Sequence, residues 1–317
     1  MECIAETQNM PVMLPACFPV MVPVVLNDEQ INDLNVPEVI SEPSEPETRI
    51  DKVFSCLMTG ETFKDMTGSL NAICAETVLT IDETSGITSK MVDTANVAMV
   101  DLAISRDVFD VFKLTEPVKI GIDVKQVYNT RSMIKKGSLV HLEVNKRTEP
   151  ARHGIDKDGK ENNIEEKIEY RYSISIEGTT TNFTALDINT IRKEPRPPVI
   201  ELGTHVDITA GDFIQGVKDG GKIADTIALV FDQGSFSMVF EGSTSTMNKT
   251  VPVLSYTTKD PKVRSLFSLD YIKDMIKVLN KKEIIRINMG NDRPMKLTRG
   301  SFGTETIFLL APRIEDN

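Results

Sequence analysis

Apolar residues recur along this chain with two different periods, and the switches between them predict its elements. Phe63, Met66, Leu70 and Ile73 stand three and four apart, the spacing that collects one face of a helix, so residues 60–76 are expected to be helical. Residues 53–58, 78–82, 86–92 and 97–104 read instead as strands, parted by Glu83, Thr84 and Ser85 and by Asp93, Thr94 and Ala95. In the last of these both parities are apolar, Val97 and Met99 against Ala98, Val100 and Leu102, as in a sheet covered on one side by helices. A second helix is expected at 123–136, with strands at 138–144, 168–176 and 180–186.

The order of these elements is repeated. Residues 60–115 and 211–254 run through the same sequence of helix, paired strands and third strand about 150 positions apart, and 122–144 is matched by 269–289. Each half again contains two helix-then-strand units, so the fold class is α+β, built by internal duplication. The expected organisation is an arm at 1–50, a first domain at 51–187 with a polar insertion at 145–167, a connector at 188–205 and a second domain at 206–317. The insertion reads as an elongated surface hairpin or a flexible loop. In the connector, Pro195, Pro197 and Pro198 exclude helix and central strand. The apolar Val199, Ile200 and Leu202 that follow are either a linker pinned to a sheet or one wall of a peptide groove.

Composition narrows the function classes. With 317 residues, 40% of them hydrophobic, the chain has enough material for two cores. Cys3, Cys17, Cys56 and Cys74 form no CxxC pair, and His141, His153 and His205 are far apart. A zinc site or disulfide framework is not expected, and the usage fits a reducing compartment. No nucleophile elbow, Walker loop or GxGxxG follows a strand, which points away from an enzyme and from a nucleotide cofactor.

Charge is distributed unevenly. Residues 1–50 hold nine acids against one base, which leaves only −3 of the total −11 on the rest. The apolar run from Met10 to Leu26 is interrupted by Pro11, Pro15, Pro19 and Pro23, which breaks each helical turn and argues against a membrane span. An extended arm, a partner-docking segment and an upstream start codon all fit it. The expected helices, by contrast, carry Lys64; Lys125, Arg131, Lys135 and Lys136; Lys218 and Lys222; and Lys273, Lys277, Lys281 and Lys282. Spacings of four set several of these on one face. Such a face is either merely solvated or a phosphate-contacting surface on a body that otherwise repels nucleic acid. No tryptophan is present, so base stacking is not expected to drive binding.

The duplicated pattern, the segment MVDTANVAMVDL at 91–102, the proline-bearing connector and the ending IFLLAPRIED at 307–316 together resemble the sliding clamp of the proliferating cell nuclear antigen type, its archaeal members above all. The resemblance covers residues 53–316. It implies two duplicated DNA-clamp domains per chain, with helices on the inner face of antiparallel sheets, and a ring-forming homotrimer around duplex DNA without sequence preference. It implies no catalytic step, no cofactor and no metal. The ring would tether DNA polymerase, ligase and flap nuclease through a clamp-binding peptide, and a clamp loader would open it. By position the partner groove would be made of Val92, Asn96, Val97 and Met99, of Pro198, Val199 and Ile200, and of Pro294, Leu309, Ala311, Pro312 and Ile314.

Lys64, Lys218 and Lys277 fall where relatives carry basic residues facing DNA. Asn129 and Ser132 fall at positions that are often basic, with Lys125, Lys135 and Lys136 nearby to compensate. Subunits would pair edge strands near 175–183 and 245–253. A heterotrimeric clamp subunit and a non-encircling partner-binding scaffold are the competing readings. A cytoplasmic, nucleoid-associated location is implied, or a nuclear one for a eukaryotic or viral source.

Overall fold

Hydroxyl and carboxylate side chains fix where the helices start. Thr59 accepts from Thr62 N at 3.1 Å to open α1 (Gly60–Asn71), Asp123 from Gln126 N at 2.9 Å to open α2 (Val124–Asn129), and Thr209 from Asp212 N at 3.4 Å to open α3 (Ala210–Gly220). A fourth helix, α4 (Leu269–Met275), follows Ser268 without such a bond. The computed structural model describes residues 47–155, 161–196 and 200–314, with backbone alone at 152–155 and 161–164. The expected arm up to residue 46, and Pro197, Pro198 and Val199 of the connector, lie outside the described residues.

Two helices are shorter than their periodicity suggests. α1 stops at Asn71 rather than 76, because Glu76 is taken into a strand opposite Asp123 and the chain turns at Ile73 and Cys74. α2 covers six residues instead of the expected 123–136, then tightens to a 3-10 turn at Thr130–Met133. The Thr130 hydroxyl donates back to Val127 O at 2.7 Å and that of Ser132 to Asn129 O at 2.9 Å, side-chain bonds that compete with helix propagation. α4 likewise gives way to a 3-10 turn at Ile276–Val278.

The first half contributes β1 (Arg49–Thr59), β2 (Glu76–Asp82), β3 (Gly86–Val92), β4 (Ala98–Ile104), β5 (Val111–Leu114), β6 (Val118–Asp123), β7 (Leu139–Glu149), β8 (Arg152–Ile155), β9 (Glu161–Ile164), β10 (Lys167–Ile176) and β11 (Thr179–Thr184). The polar stretch from 145 is therefore no loop at its start: Asn145–Glu149 stays in β7, paired with β1 and β10, and β8 and β9 form a small ribbon beyond it. The second half contributes β12 (Thr204–Thr209), β13 (Thr226–Asp232), β14 (Ser235–Glu241), β15 (Thr246–Val251), β16 (Val253–Thr258), β17 (Lys262–Ser268), β18 (Ile284–Met289), β19 (Met295–Ser301) and β20 (Thr304–Leu310).

The sheets state the duplication in full. A five-stranded sheet runs β11-β10-β7-β1-β5, a four-stranded sheet β15-β14-β13-β17, and a nine-stranded sheet β16-β12-β18-β19-β20-β4-β3-β2-β6. The nine are one unit of five from the second half joined to one unit of four from the first, in the same strand order as the two smaller sheets. The joint is the antiparallel ladder of β20 on β4, from Thr304↔Ile104 to Leu310↔Ala98. Residues such as Val100, Leu102, Phe308, Leu297 and Ile287 are fully buried on one face of it. α1 covers that face at the joint with α2 beside it, and α3 lies against β14 and β15 of the four-stranded sheet with α4 beside it, while the turn after α4 meets α1 where Gly68 leaves no room for a side chain against Val278. On α3, a Cβ at Gly216 or Gly220 would overlap Met238 or the Phe240 ring of β14, so these glycines let the helix lie close to its sheet.

A buried charge cluster fastens the joint. Arg299 of β19, 2% exposed, meets Asp65 of α1 at 2.7 Å and Glu283 at 3.0 Å, while the Thr304 hydroxyl donates to Asp65. Burial pushes the Asp65 carboxyl above its usual range, with Arg299 pulling the other way. Burial also disfavours the Arg299 charge, but the two carboxylates outweigh it and hold the guanidinium protonated. Arg299→Met strands two buried carboxylates and is expected to lower unfolding stability by about 3–5 kcal/mol, read by denaturant titration. Replacing Asp65 and Glu283 by Asn and Gln in the same chain should recover part of that loss, and an unchanged midpoint in the single variant would refute a fastening role.

A second expectation concerns pH. On the other face, Asp207 accepts from Arg286 at 2.7 and 2.9 Å and from Ser255 at 2.6 Å, and Arg286 above all holds its carboxyl down to about 2. A lowered carboxylate stabilises the fold above the ordinary range near 4 and loses that contribution as pH falls toward 2. Asp207→Asn should therefore cost about 1 kcal/mol near neutrality, Arg286 being half exposed. Urea melts of the two proteins should converge near the acid end.

Candidate partner groove and helix face

Strand register brings the expected groove residues together from distant parts of the chain. Val92 of β3 lies opposite Met99 of β4, Met99 opposite Leu309 of β20, and Leu309 opposite Lys296 of β19. These form one row on the sheet face away from the helices, apolar for three strands and then basic. The next row along the same strands starts with the ion pair of Lys90 and Asp101 at 3.0 Å and continues through Ile307 and Thr298. The apolar floor is thus local. Beyond β20 the tail keeps one course: Ala311 N donates to Val97 O at 2.8 Å and Arg313 N to Leu266 O at 2.7 Å. Ala311 and Pro312 flank the floor half-buried, and Ile314 is 89% exposed. Pro294 and Ile200 are half-buried on the same half of the chain.

One wall is the turn between β3 and β4. Asp93 accepts from Val97 N at 2.7 Å and Ala98 N at 2.8 Å through one oxygen, and from Ala95 N at 3.2 Å through the other. Asn96 takes a left-handed conformation, φ 59°, which asparagine tolerates. Burial raises the Asp93 carboxyl, but the Tyr271 hydroxyl and the three amides outweigh it, so the group sits below the ordinary carboxylate range.

The connector begins as a clamp on this region. Leu186 bridges Gly121 of β6, Ile191 is buried, and Arg192 donates to Asp93 O at 2.6 Å and to Asn96 Oδ1 at 3.0 Å. It then arches over β2 and β3, leaving a cavity of about 340 Å³ floored by Thr80, Thr88, Lys90 and Asp101. Asp93, Arg192 and Tyr271 were not legible as site residues; their only sequence signal is the turn context of Asp93.

The basic residues fall into two groups. Lys64 on α1, Lys218 on α3, Lys125 on α2 and Lys273 on α4 lie on helices, and Arg131 and Lys277 on the 3-10 turns. Lys135, Lys136, Lys222, Lys281 and Lys282 belong to the turns that follow, so the run of Lys273, Lys277 and Lys281 is not one helical face as its spacing suggested. Helix termination is the reason, since a 3-10 turn advances about 120° per residue. Four cations pair with the acid three residues earlier: Lys64 with Glu61, Lys222 with Asp219, Lys273 with Asp270 and Lys277 with Asp274. Arg131 stacks on Tyr128 at 4.5 Å. Lys218 is exposed and makes no ion pair among the described residues. A shallow hollow between α1 and the turn after α4 gathers Lys64, Arg131 and Lys277 above the buried Arg299. Among the described residues no group of three or more His, Cys, Asp or Glu could hold a metal, and no helix is long and apolar enough to cross a membrane.

Residues 55–174 match the family model described as proliferating cell nuclear antigen, N-terminal domain. A DNA polymerase sliding clamp of Methanosphaerula palustris is 34% identical over 260 residues, covering 80% of this chain and 96% of the relative. That of Methanoregula boonei is 33% identical with the same coverage. Among solved structures, PCNA of A. fulgidus with the C-terminal region of FEN-1 bound gives a TM-score of 0.70 at 26% identity, over 83% of this chain and all of that one. PCNA of Thermococcus kodakaraensis shares the fold, with a TM-score of 0.67 at 19% identity over 82% of this chain and all of that one.

Proposed function

The chain belongs to the DNA polymerase sliding clamp family, and from that premise we propose that three copies close into a ring around duplex DNA and tether replication and repair enzymes through the groove floored by Val92, Met99 and Leu309. The observation that carries this reading is the internal joint. β20 pairs with β4 inside the chain, and their topological counterparts, β11 and β15, are left as unpaired sheet edges. An unpaired edge invites pairing, and the internal ladder of β20 on β4 supports β11 as the fit for β15. β11 of one copy on β15 of the next repeats the internal joint between subunits, a head-to-tail contact that closes when its rotation closes.

The external joint is the more polar of the two. Matching the halves through their helix caps and strand registers sets Met247 and Lys249 of β15 where β4 has Val100 and Leu102. In the same matching Gln215 stands for Asp65 and Ser138 for Glu283, and β10 supplies Ile174 and Ile176 near the counterpart of Arg299. The joint between subunits therefore lacks the buried charge cluster, which supports it as the place where a loader opens the ring. Met247→Glu should reduce the solution mass from three chains to one at micromolar concentration, read by light scattering behind a sizing column. A trimer that survives this change sinks the pairing of β11 with β15, and a single-chain mass for the wild type favours a heteromeric clamp or a non-encircling scaffold.

The helix face supports sequence-independent phosphate contact, its Tyr128 ring being already stacked on Arg131. Lys218→Glu with Lys277→Glu is expected to abolish clamp stimulation of a polymerase on primed circular DNA while leaving the mass at three chains. Stimulation unchanged at moderate salt would remove these lysines from the DNA path.

The groove suits a peptide ending in apolar or aromatic anchors. FEN-1 in the A. fulgidus complex is bound through its C-terminal region, and the same class of partner, along with polymerase, ligase and clamp loader, is proposed for this chain. Leu309→Asp puts a charge in the middle of the floor and should weaken such a peptide about 10-fold or more, measured by fluorescence anisotropy.

A further inference from the structure

The wall of the groove is held from the opposite half of the chain. Asp93 has one oxygen occupied by the amides of Val97 and Ala98. Its other oxygen accepts the Tyr271 hydroxyl at 2.6 Å, from a residue 178 positions away on α4. The backbone carbonyl of the same Asp93 receives Arg192 of the connector, which also reaches Asn96. Val97 O, one bond further along, anchors the tail through Ala311 N. The turn and the connector are thus tied to Asp93 directly, and the tail through one intervening residue, Val97. Among the described residues the only side-chain donor to that carboxylate is Tyr271. Behind the turn opens a cleft of about 580 Å³ bounded by Cys74, Lys125, Tyr271 and Asp274, space into which the carboxylate can turn once the phenol is gone.

We propose that Tyr271 is a positioning residue for partner binding: its hydroxyl fixes the Asp93 carboxylate and, through it, the Val97 and Ala98 amides and the connector's Arg192, in the arrangement that receives a partner peptide. This rests on the groove reading above. The chemistry favours it, since a neutral O–H donating to a carboxylate is a charge-assisted bond, short and directional. Asp93 first, and burial second, raise the phenol to about 12, so the donor keeps its proton throughout the neutral range. With the bond gone, the carboxylate keeps its amides but loses the contact that prevents it from turning toward the cleft. α4 also carries Lys273, so the element that positions the groove belongs to the helix face.

Tyr271→Phe removes one oxygen and retains the ring. The probe is a labelled C-terminal peptide of archaeal FEN-1, titrated by anisotropy against wild type, Tyr271→Phe, Asp93→Asn and the double variant, with amide exchange followed at Val97 and Ala98. The expected result is a Kd raised about 3- to 10-fold by either single change, with no further loss in the double variant because both act through one bond. Exchange at the two amides should quicken, while solution mass and thermal midpoint stay near wild type. A Tyr271→Phe protein that binds as wild type does, with unchanged exchange, overturns the proposal and leaves the groove reading intact. Additive losses in the double variant overturn it as well. A wild-type clamp that ignores the peptide overturns the groove reading itself, and would do so whatever the amides report. Should Tyr271→Phe fold poorly, Asp93→Asn tests the same bond from its other end.

Discussion

The seven-pair ladder between β20 and β4 is the constraint on which the rest of the molecule depends. It fuses two independent sets of strands into one nine-stranded sheet, and in doing so decides which edges remain unpaired, which face α1 covers and where the groove floor is laid. Leu309 and Met99 meet only because they sit opposite each other in that ladder. The Asp65–Arg299–Glu283 cluster adds specificity more than net stability. Two buried acids around one guanidinium are costly to desolvate, and an apolar substitute of equal volume would often do as well energetically. What the charges exclude is misregister: slipping the ladder by two residues would carry Arg299 and Glu283 together away from Asp65.

That contrast separates the two kinds of joint. The internal joint combines full burial of Val100, Leu102 and Phe308 with the ion cluster. The edges left for another copy offer Thr179–Thr184 on one side and a strand containing Met247, Asn248 and Lys249 on the other. Backbone pairing is equally available to both joints, so the difference lies in side chains. In the proposed ring, opening and reclosing need one joint weaker than the other, and the chain has placed its apolar area and its buried charges inside itself.

Much of this architecture was legible. The duplication, the strands at 86–92 and 168–176 and the turn at Asp93 to Ala95 follow from local periodicity and turn chemistry, which a linear sequence carries directly. The unpaired edges lie close to the stretches expected at 175–183 and 245–253. Helix ends were less legible, because the competing terms are not in the hydrophobic pattern: a sheet partner captures Glu76, and hydroxyls at Thr130 and Ser132 bond backwards. Extending α2 to 136 credited Lys135 and Lys136 to a helix they do not belong to. Arg192 looked like one of several linker charges and Tyr271 like a residue in an amphipathic run. Their meaning depends on contacts with Asp93 across 99 and 178 positions, and no local rule reads that.

The helix face poses a last physical question, how a chain of net charge −11 can present a surface to a polyanion. Counting lysines overstates the attraction, since four of them already face an acid one turn away. Yet exposed pairs of this kind hold together by only about 0.3–0.5 kcal/mol, less than a lysine gains by displacing counterions from a duplex at low salt. The pairs therefore behave as a screen that phosphate can part, and the acids then sit beside the backbone as a mild repulsion. On the proposed reading, a surface so arranged grips duplex weakly at any one place while keeping it off the more acidic remainder of the body. Weak, even contact is what translation along DNA requires, because a deep electrostatic minimum at one register would hold the ring where it first landed.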